Sequence, residues 1–539
     1  MNKEKENKWI WWKHGVIYHI YPRSFYDSDN DGIGDIKGII CKLDYLVHLG
    51  IDAIWLSPIY QSPNKDYGYD VSDYTSINPE YGTLEDFKNL LKIAHSKNIK
   101  VIMDMIMNHT SDQHPWFLES KSSIDNPKRD WYIWKTATKG KSPNNWKSSF
   151  GNTAWQLDEK TNAYYLHSFF KEQPDLNWRN KEMQHVFFEE IKYWLELGVD
   201  GFRLDVINMI VKDKKYRNNP LNLNIPFLQL HKYSRNRPKS YEIVKKLRKL
   251  IDKYDESVLI GEIYVMPPGN SKLSASYLAD GKKGIHLAFD FSLLFQKWNA
   301  TIFYKCIQKW NASIPDGGWP CYVFSNHDLK RSINRNPLRK FQLEKAKIEA
   351  VLLLTLKGTP FIYYGEEIGM KNARIPYRNI KDSLGKKYWP IYNGRDGART
   401  PMQWNTDAYA GFSMVKPWLP VHSDYKKVNV QFQENETDSL FNIYQSLILL
   451  RKKYSSLNKG EFSILKKGKD DIFAYSRIYQ DEIICIFMNF SSHEKIVQLK
   501  EIGEFEILFS SQSSVKEHFI ENKLILSPFE AFIYKLNVS

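Results

Sequence analysis

"GFRLDV", residues 201–206, puts an arginine and an aspartate two positions apart inside an apolar run. Side chains alternate across an extended strand. Arg203 and Asp205 therefore share one face, while Phe202 and Leu204 point the other way, into a helix layer. The run follows "NKEMQHVFFEEIKYWLELG" (180–198), a helical stretch that stops at Gly198 just before it. Working outward in both directions, strand-length runs recur: "GVIYHIY" from Gly15, "DAIWLS" from Asp52, "KVIMDM" from Lys100, "VLIGEI" from Val258, "IHLAFDF" from Ile285, "CYVFSNHD" from Cys321 and "PFIYYG" from Pro360. Several are apolar on both faces, as strands of a buried parallel sheet are. Helical spacing fills many of the gaps: Ile36 to Leu49 ending at Gly50, a helix opened by the capping box "TLED" at Thr83, and "LEKAKIEAVLLLTLKG" ending at Gly358. Strand, helix, strand, repeated to eight, predicts a (β/α)8 TIM barrel.

Two stretches interrupt the pattern and one follows it. Residues 109–175 are rich in Trp, Asn and Lys and have little helical period. They are too long for an ordinary loop and predict a subdomain inserted after the third strand. Asn208 to Ser240 is a second insert, after the fourth strand. From about Ser456 the runs "FSILKKG", "DIFAYSRIY", "EIICIFMNF", "EFEILFS", "KLILS" and "AFIYKLNV" have no helices between them, which predicts a C-terminal antiparallel β-sandwich. The expected division is a barrel over 1–108 and 176–455, an insert over 109–175 and a β domain over 456–539.

Composition narrows the function. The 42% hydrophobic content marks a folded protein rather than a disordered one. The net charge of +14 is spread over helices and loops, so it reads as a solvated surface and not as a nucleic-acid interface. The four cysteines are far apart without a CxxC pair, which argues against a zinc site or a disulfide framework. "MNKEKENKWIWWKHG" has no long apolar core, so neither a signal peptide nor a membrane anchor is expected there. The expected setting is cytoplasmic, without nucleic acid or membrane, and the expected state a monomer or weak homo-oligomer.

Barrel enzymes carry their chemistry at the C-terminal strand ends. Asp104 ends the third run, with His109 close behind. Arg203 and Asp205 lie on the fourth, Glu262 ends the fifth, and His327 and Asp328 end the seventh. A guanidinium beside Asp205 keeps that carboxylate ionised, as a nucleophile requires. Glu262 lies in an apolar run that favours its protonated form, which suits a general acid. A nucleophilic carboxylate and an acid on adjacent strands match retaining glycoside hydrolysis.

The chain resembles the α-amylase superfamily of glycoside hydrolases, in its α-glucosidase and oligo-1,6-glucosidase branch. The resemblance rests on "DMIMNH" (104–109), "QPDLNW" (173–178), "GFRLDV" (201–206), "GEIYV" (261–265), "FSNHD" (324–328), "GTPFIYYGEEIGM" (358–370) and "GRDGARTPMQW" (394–404). It implies a retaining exo-acting α-glucosidase, with an oligo-1,6-glucosidase, a transglucosylase or a sucrose isomerase as alternatives using the same carboxylates. It also implies Asp205 as nucleophile, Glu262 as acid/base and Asp328 as transition-state stabiliser. Asp66, Tyr69, Asp104, His109, Arg203, Val206, His327 and Arg331 would bind substrate, with Arg331 paired to Asp66; Arg399 is left without a role. A catalytically dead transporter heavy chain is disfavoured because all three acids are present.

"DSDNDGIGD" (27–35) has the early spacing of an EF-hand loop, but its twelfth position is Gly38 and no long helix precedes it, so the sensor reading fails. By the same resemblance Asp27, Asp29, Asp31 and Asp35, with the carbonyl of Ile33, would hold a structural Ca²⁺, with Mg²⁺ as the alternative; this is favoured over a polar turn without metal. Val206 resembles the valine of 1,6-preferring enzymes at this position, where a stiff β-branched side chain narrows the space beside the scissile bond.

Overall fold

Eight short parallel strands pair side by side in the computed structural model. They are β1 (Ile17–Ile20), β2 (Ala53–Leu56), β3 (Lys100–Met105), β4 (Gly201–Leu204), β5 (Val258–Gly261), β6 (Leu287–Ala288), β7 (Cys321–Val323) and β8 (Thr359–Tyr363). Their order is β6-β5-β4-β3-β2-β1-β8-β7. The two ends of that order meet where Cys321 Sγ donates to the Ala288 carbonyl at 3.2 Å, which closes the barrel. The structure describes residues 8–136, 141–222, 229–265, 270–335, 340–499, 504–512 and 518–537. Residues 1–7 of the N-terminal stretch read above, and 223–228 of the second insert, lie outside that set.

The alternation of each strand sorts its residues into two cores. Ile17, Trp55, Ile102, Ile260, Leu287, Val323 and Phe361 form one buried cluster, the barrel interior. Their sequence neighbours, such as Tyr18, Ile54, Val101, Leu259 and Ile362, join the larger cluster beneath the helices. On β4, Phe202 and Leu204 belong to that outer cluster. The inward positions of β4 are Gly201 and Arg203, and the Arg203 guanidinium lies 5.2 Å from the Trp55 ring. A Cβ at Gly201, where φ is +155°, would meet the Val258 carbonyl at 2.4 Å. Glycine is required there for β4 to lie against β5.

The predicted helix over 36–49 is two helices, Ile36–Cys41 and Leu43–Leu49, broken at Lys42. Gly50 ends the second in the left-handed conformation expected of a C-cap, with φ 94°. The Thr83–Asp86 capping box forms as read. After β3 the chain makes a small antiparallel sheet from Trp134–Thr136, Ala163–Leu166 and Trp155–Asp158 over an apolar cluster including Ile133, Trp146 and Trp155. The second insert docks onto it: Trp146 Nε1 donates to the Arg217 carbonyl at 2.8 Å, and Asn145 bonds Asn219. Beyond the barrel, a five-stranded and a three-stranded antiparallel sheet enclose a core that includes Ala474, Phe487, Val497, Leu524 and Phe532.

Candidate active site

Arg203 organises the C-terminal mouth of the barrel. Register places Asp104 of β3 opposite it, and Ile260 of β5 on its other side, two residues before Glu262. Its Nη1 bonds Asp104 Oδ1 at 2.8 Å and Asp205 Oδ1 at 2.7 Å, and its Nη2 reaches Glu262 Oε2 at 2.6 Å. The arginine side chain is only 2% exposed. One guanidinium therefore fixes three carboxyls in a buried site, where charge-assisted hydrogen bonds are strong.

Burial pushes the carboxyls of Asp104, Asp205 and Glu262 up, Arg203 pulls each down, and the neighbouring carboxylates push up again. One positive charge cannot neutralise three negative ones, so the group holds on to a proton. Burial pushes both Asp205 and Glu262 up, and the charge of Glu262 raises Asp205 further, so they titrate as a pair. Asp328 is held the opposite way. Burial raises it, but His327, Arg395 and Arg399 outweigh burial and keep its carboxyl well below the usual range. Arg399 Nη2 bonds Asp328 Oδ1 at 2.8 Å, and Arg399 Nε ties the His327 carbonyl at 2.8 Å. That contact gives Arg399 the place the sequence left open.

A strand pair, Tyr60–Gln61 with Asp73–Ile77, presents the loop that carries Asp66 and Tyr69. Asp70 pins that loop by accepting from the backbone N–H groups of Lys65 and Asp66, both at 2.8 Å. The Tyr69 hydroxyl donates to Asp104 Oδ2 at 3.0 Å and bonds His327 Nε2 at 2.8 Å. His327 and His109 stay neutral, because burial pushes them down to about 3 and about 4. His109 Nε2 bonds the Tyr69 carbonyl at 3.0 Å.

The resulting cavity is about 300 Å³. Asp66, Tyr69, His109, Asp205, Glu262 and Asp328 line its polar side, with Val206 beside them. Phe150, Phe169, Tyr264, Phe291, Phe295 and Tyr392 give it an aromatic wall. Asp104, Arg203 and His327 stand behind the lining and hold the residues that face the cavity. Val206 adopts φ 36° and ψ 44°, a left-handed conformation that is rare for a β-branched residue. Its N–H points at Glu262 Oε2, 3.4 Å away.

One expectation is corrected. Arg331 does not line the cavity and does not pair with Asp66. Its side chain turns inward between the Tyr363 and Tyr364 rings, and its Nη1 bonds the Tyr364 carbonyl at 2.6 Å. Asp66 is held by Arg395 at 2.7 Å, which also bonds Asp382 at 3.0 Å and reaches Asp328 at 3.4 Å. Arg395 was missed, although it lies in "GRDGARTPMQW" beside Arg399. Gln173 of "QPDLNW", to which the motif alone assigns no role, brings its amide to Asp66 Oδ2 at 3.3 Å and His109 Nε2 at 3.1 Å.

Remote from the carboxylates, the 27–35 loop packs against a later segment: Asp27 N–H bonds the Phe412 carbonyl and Trp418 N–H bonds the Gly32 carbonyl. Asp27, Asp29 and Asp35 offer oxygens within 4.8 Å of one another. Asp31 stands apart from that group, with its carboxylate accepting from Ile33 N–H at 2.7 Å. Burial and then the charges of Asp35 and Asp27 raise the Asp29 carboxyl. Among the described residues none of the four makes an ion pair with Lys, Arg or His.

Residues 19–460 match the family described as "Alpha amylase, catalytic domain". The chain is 39% identical to an oligo-1,6-glucosidase of Parageobacillus thermoglucosidasius, covering 98% of this chain and 99% of the relative. Among solved structures it resembles an α-glucosyl transfer enzyme with TM-score 0.92 and 35% identity over 98% of this chain and 100% of the other. It also resembles the isomaltulose synthase of Protaminobacter rubrum with TM-score 0.90 and 35% identity over 98% and 99%.

Proposed function

The chain belongs to the α-amylase family and is a glycoside hydrolase, and from that premise we propose that it is a retaining exo-acting α-glucosidase releasing glucose from the non-reducing end of short α-glucosides. The observation that carries this reading is the Arg203 bridge. Asp205 and Glu262 occupy neighbouring nitrogens of one guanidinium. That favours the short carboxyl separation of retaining enzymes, about 5–5.5 Å, over the wider one that leaves room for a water. Asp205 attacks the anomeric carbon as its carboxylate while Glu262, in its acid form, gives its proton to the departing oxygen. Glu262 then takes a proton from water, which releases the sugar from Asp205. Asp328, kept ionised by two arginines, faces the positive charge that develops on the ring. Exo action is supported by the Asp66–Arg395 ion pair, both of whose residues line the cavity. Comparing products from maltose, isomaltose, sucrose and trehalose tests the reading. Glucose released from at least one α-glucoside is expected; no release from any of them would defeat it.

A second reading, a transglucosylase or sucrose isomerase, is favoured by the aromatic wall, which would keep water from the intermediate until an acceptor sugar arrives. Rearranged or lengthened products from sucrose or maltose, in excess over free glucose, would establish it.

For linkage the proposal leans on Val206. It lines the cavity next to Glu262, and its stiff side chain crowds a 1,4-linked ring more than a 1,6-linked one, which hangs on an extra rotatable carbon. Val206→Ala is expected to move the kcat/KM ratio towards maltose over isomaltose by about 1–3 kcal/mol. An unchanged ratio would place linkage choice elsewhere.

The proposal includes a structural Ca²⁺, with Mg²⁺ as the alternative, at the 27–35 loop. Carboxylate oxygens suit either ion. Asp27, Asp29 and Asp35 would hold it and the Ile33 carbonyl would complete the set. The ion would tie the loop together where it packs on residues 412–418. Chelation, or Asp29→Ala, is expected to lower the melting temperature with a smaller effect on turnover. Unchanged melting on chelation would remove the metal. The four cysteines are free thiols, and among the described residues no helix is long and apolar enough to cross a membrane. Both support the cytoplasmic part of the proposal. A monomer or weak homo-oligomer acting on a small oligosaccharide completes it.

A further inference from the structure

Behind the aromatic wall of the cavity the two inserts enclose a second, much smaller chamber. It is about 10 Å³, room for one occupant of the size of a water molecule. Ser168, Met209, Lys212, His231, Ser234 and Arg235 are among its lining residues. Among the described residues no carboxylate lines it. Lys212 is already taken: its ammonium bonds Asp175 at 2.9 Å, Asn108 at 2.9 Å and the Met209 carbonyl. His231, pushed down to about 3 by burial and then by Arg235 and Lys212, is neutral and bonds Ser234 Oγ at 3.2 Å.

Arg235 is different. It is 4% exposed, and among the described residues no carboxylate pairs with it. Its Nη2 donates to Ser149 Oγ at 2.9 Å, its guanidinium lies 5.0 Å from the Tyr264 ring, and its Nε has no partner. Burial lowers its pKa to about 10, which still leaves it charged at neutral pH. A buried charge without a counter-charge is strongly unfavourable.

We propose that this chamber binds one small monovalent anion of the halide class, held by the unpaired Arg235 with Lys212, His231 and Ser234 around it. The chamber is too small for phosphate or a sugar acid. The exposed Lys147 also lines it and gives the ion a route to solvent. Ser149 and Tyr264, the two residues that Arg235 touches, line the main cavity, so the ion would steady the sugar-binding wall.

The test does not depend on the proposed activity. The full chain is moved from sodium isethionate into sodium chloride or bromide at constant ionic strength. The melting temperature is expected to rise by several degrees, and crystals in bromide are expected to show an anomalous peak beside Arg235 Nε. Arg235→Gln removes the charge and keeps a donor for Ser149. It is expected to abolish the halide response while staying folded in isethionate. In an active preparation, halide is expected to lower KM for the disaccharide more than it changes kcat. Three results would overturn the proposal: equal melting in isethionate and chloride, a halide shift that persists undiminished in Arg235→Gln, or a bromide map without a peak in the chamber. If the variant fails to fold, the bromide map decides.

Discussion

Asp205→Ala is expected to abolish turnover while leaving the fold intact. Without Asp205 no group is placed to form the covalent intermediate, so kcat/KM should fall by at least about four orders of magnitude, or about 5 kcal/mol at 1.36 kcal/mol per tenfold. The fold should survive for an electrostatic reason. Arg203 keeps Asp104 at 2.8 Å and Glu262 at 2.6 Å, so no buried cation is left alone. Removing one of three crowded carboxyls also relieves repulsion, and the melting temperature should stay level or rise. Substantial residual hydrolysis with retained stereochemistry, in a preparation free of wild-type enzyme, would move the nucleophile elsewhere.

Glu262→Gln separates the two steps. Natural disaccharides need a proton on the departing oxygen, and losing the general acid should slow them by about 10²–10⁴-fold. A substrate with a good leaving group needs no such proton. Its first step should be nearly unchanged, followed by slow hydrolysis of the intermediate, seen as a burst of leaving group. The pH profile should change with it. Burial holds the Glu262 carboxyl above its ordinary value, so the acid form persists as pH rises until it titrates and activity on disaccharides falls. In the glutamine variant that alkaline limb should vanish for the first step with the activated substrate. Equal losses on both substrate types would remove the acid/base role from Glu262.

Much of this was readable before any coordinates, and for a physical reason. Period-two alternation on "GFRLDV" puts Arg203 and Asp205 on one face whatever surrounds them, and strand pairing carries Asp104 and Glu262 to the same guanidinium. Backbone regularity decides such placements. Loops are decided by contacts between distant segments, and there the reading failed. Arg331 follows the third acid closely in sequence, but its side chain is drawn inward to the Tyr364 carbonyl between two tyrosine rings. Arg395, 67 residues beyond Asp328, is delivered to Asp66 by Asp382 and the turn around it. Nothing local in "GRDGAR" announces that distant partner. The metal loop shows the same limit on a smaller scale: four aspartates stand two or four residues apart, yet the oxygens of only Asp27, Asp29 and Asp35 gather within 4.8 Å of one another. The helix break at Lys42 and the unpaired Arg235 are likewise properties of packing.

The central claim is that Asp205 becomes covalently joined to the sugar. A fluorinated glucosyl fluoride that forms the intermediate faster than water can hydrolyse it tests this directly. Enzyme incubated with it, digested and analysed by mass spectrometry should carry one added fluoroglucosyl unit, mapped to the carboxyl of Asp205 in the peptide containing "GFRLDV". Turnover of the reagent without any adduct, or an adduct on another carboxyl, would contradict the account.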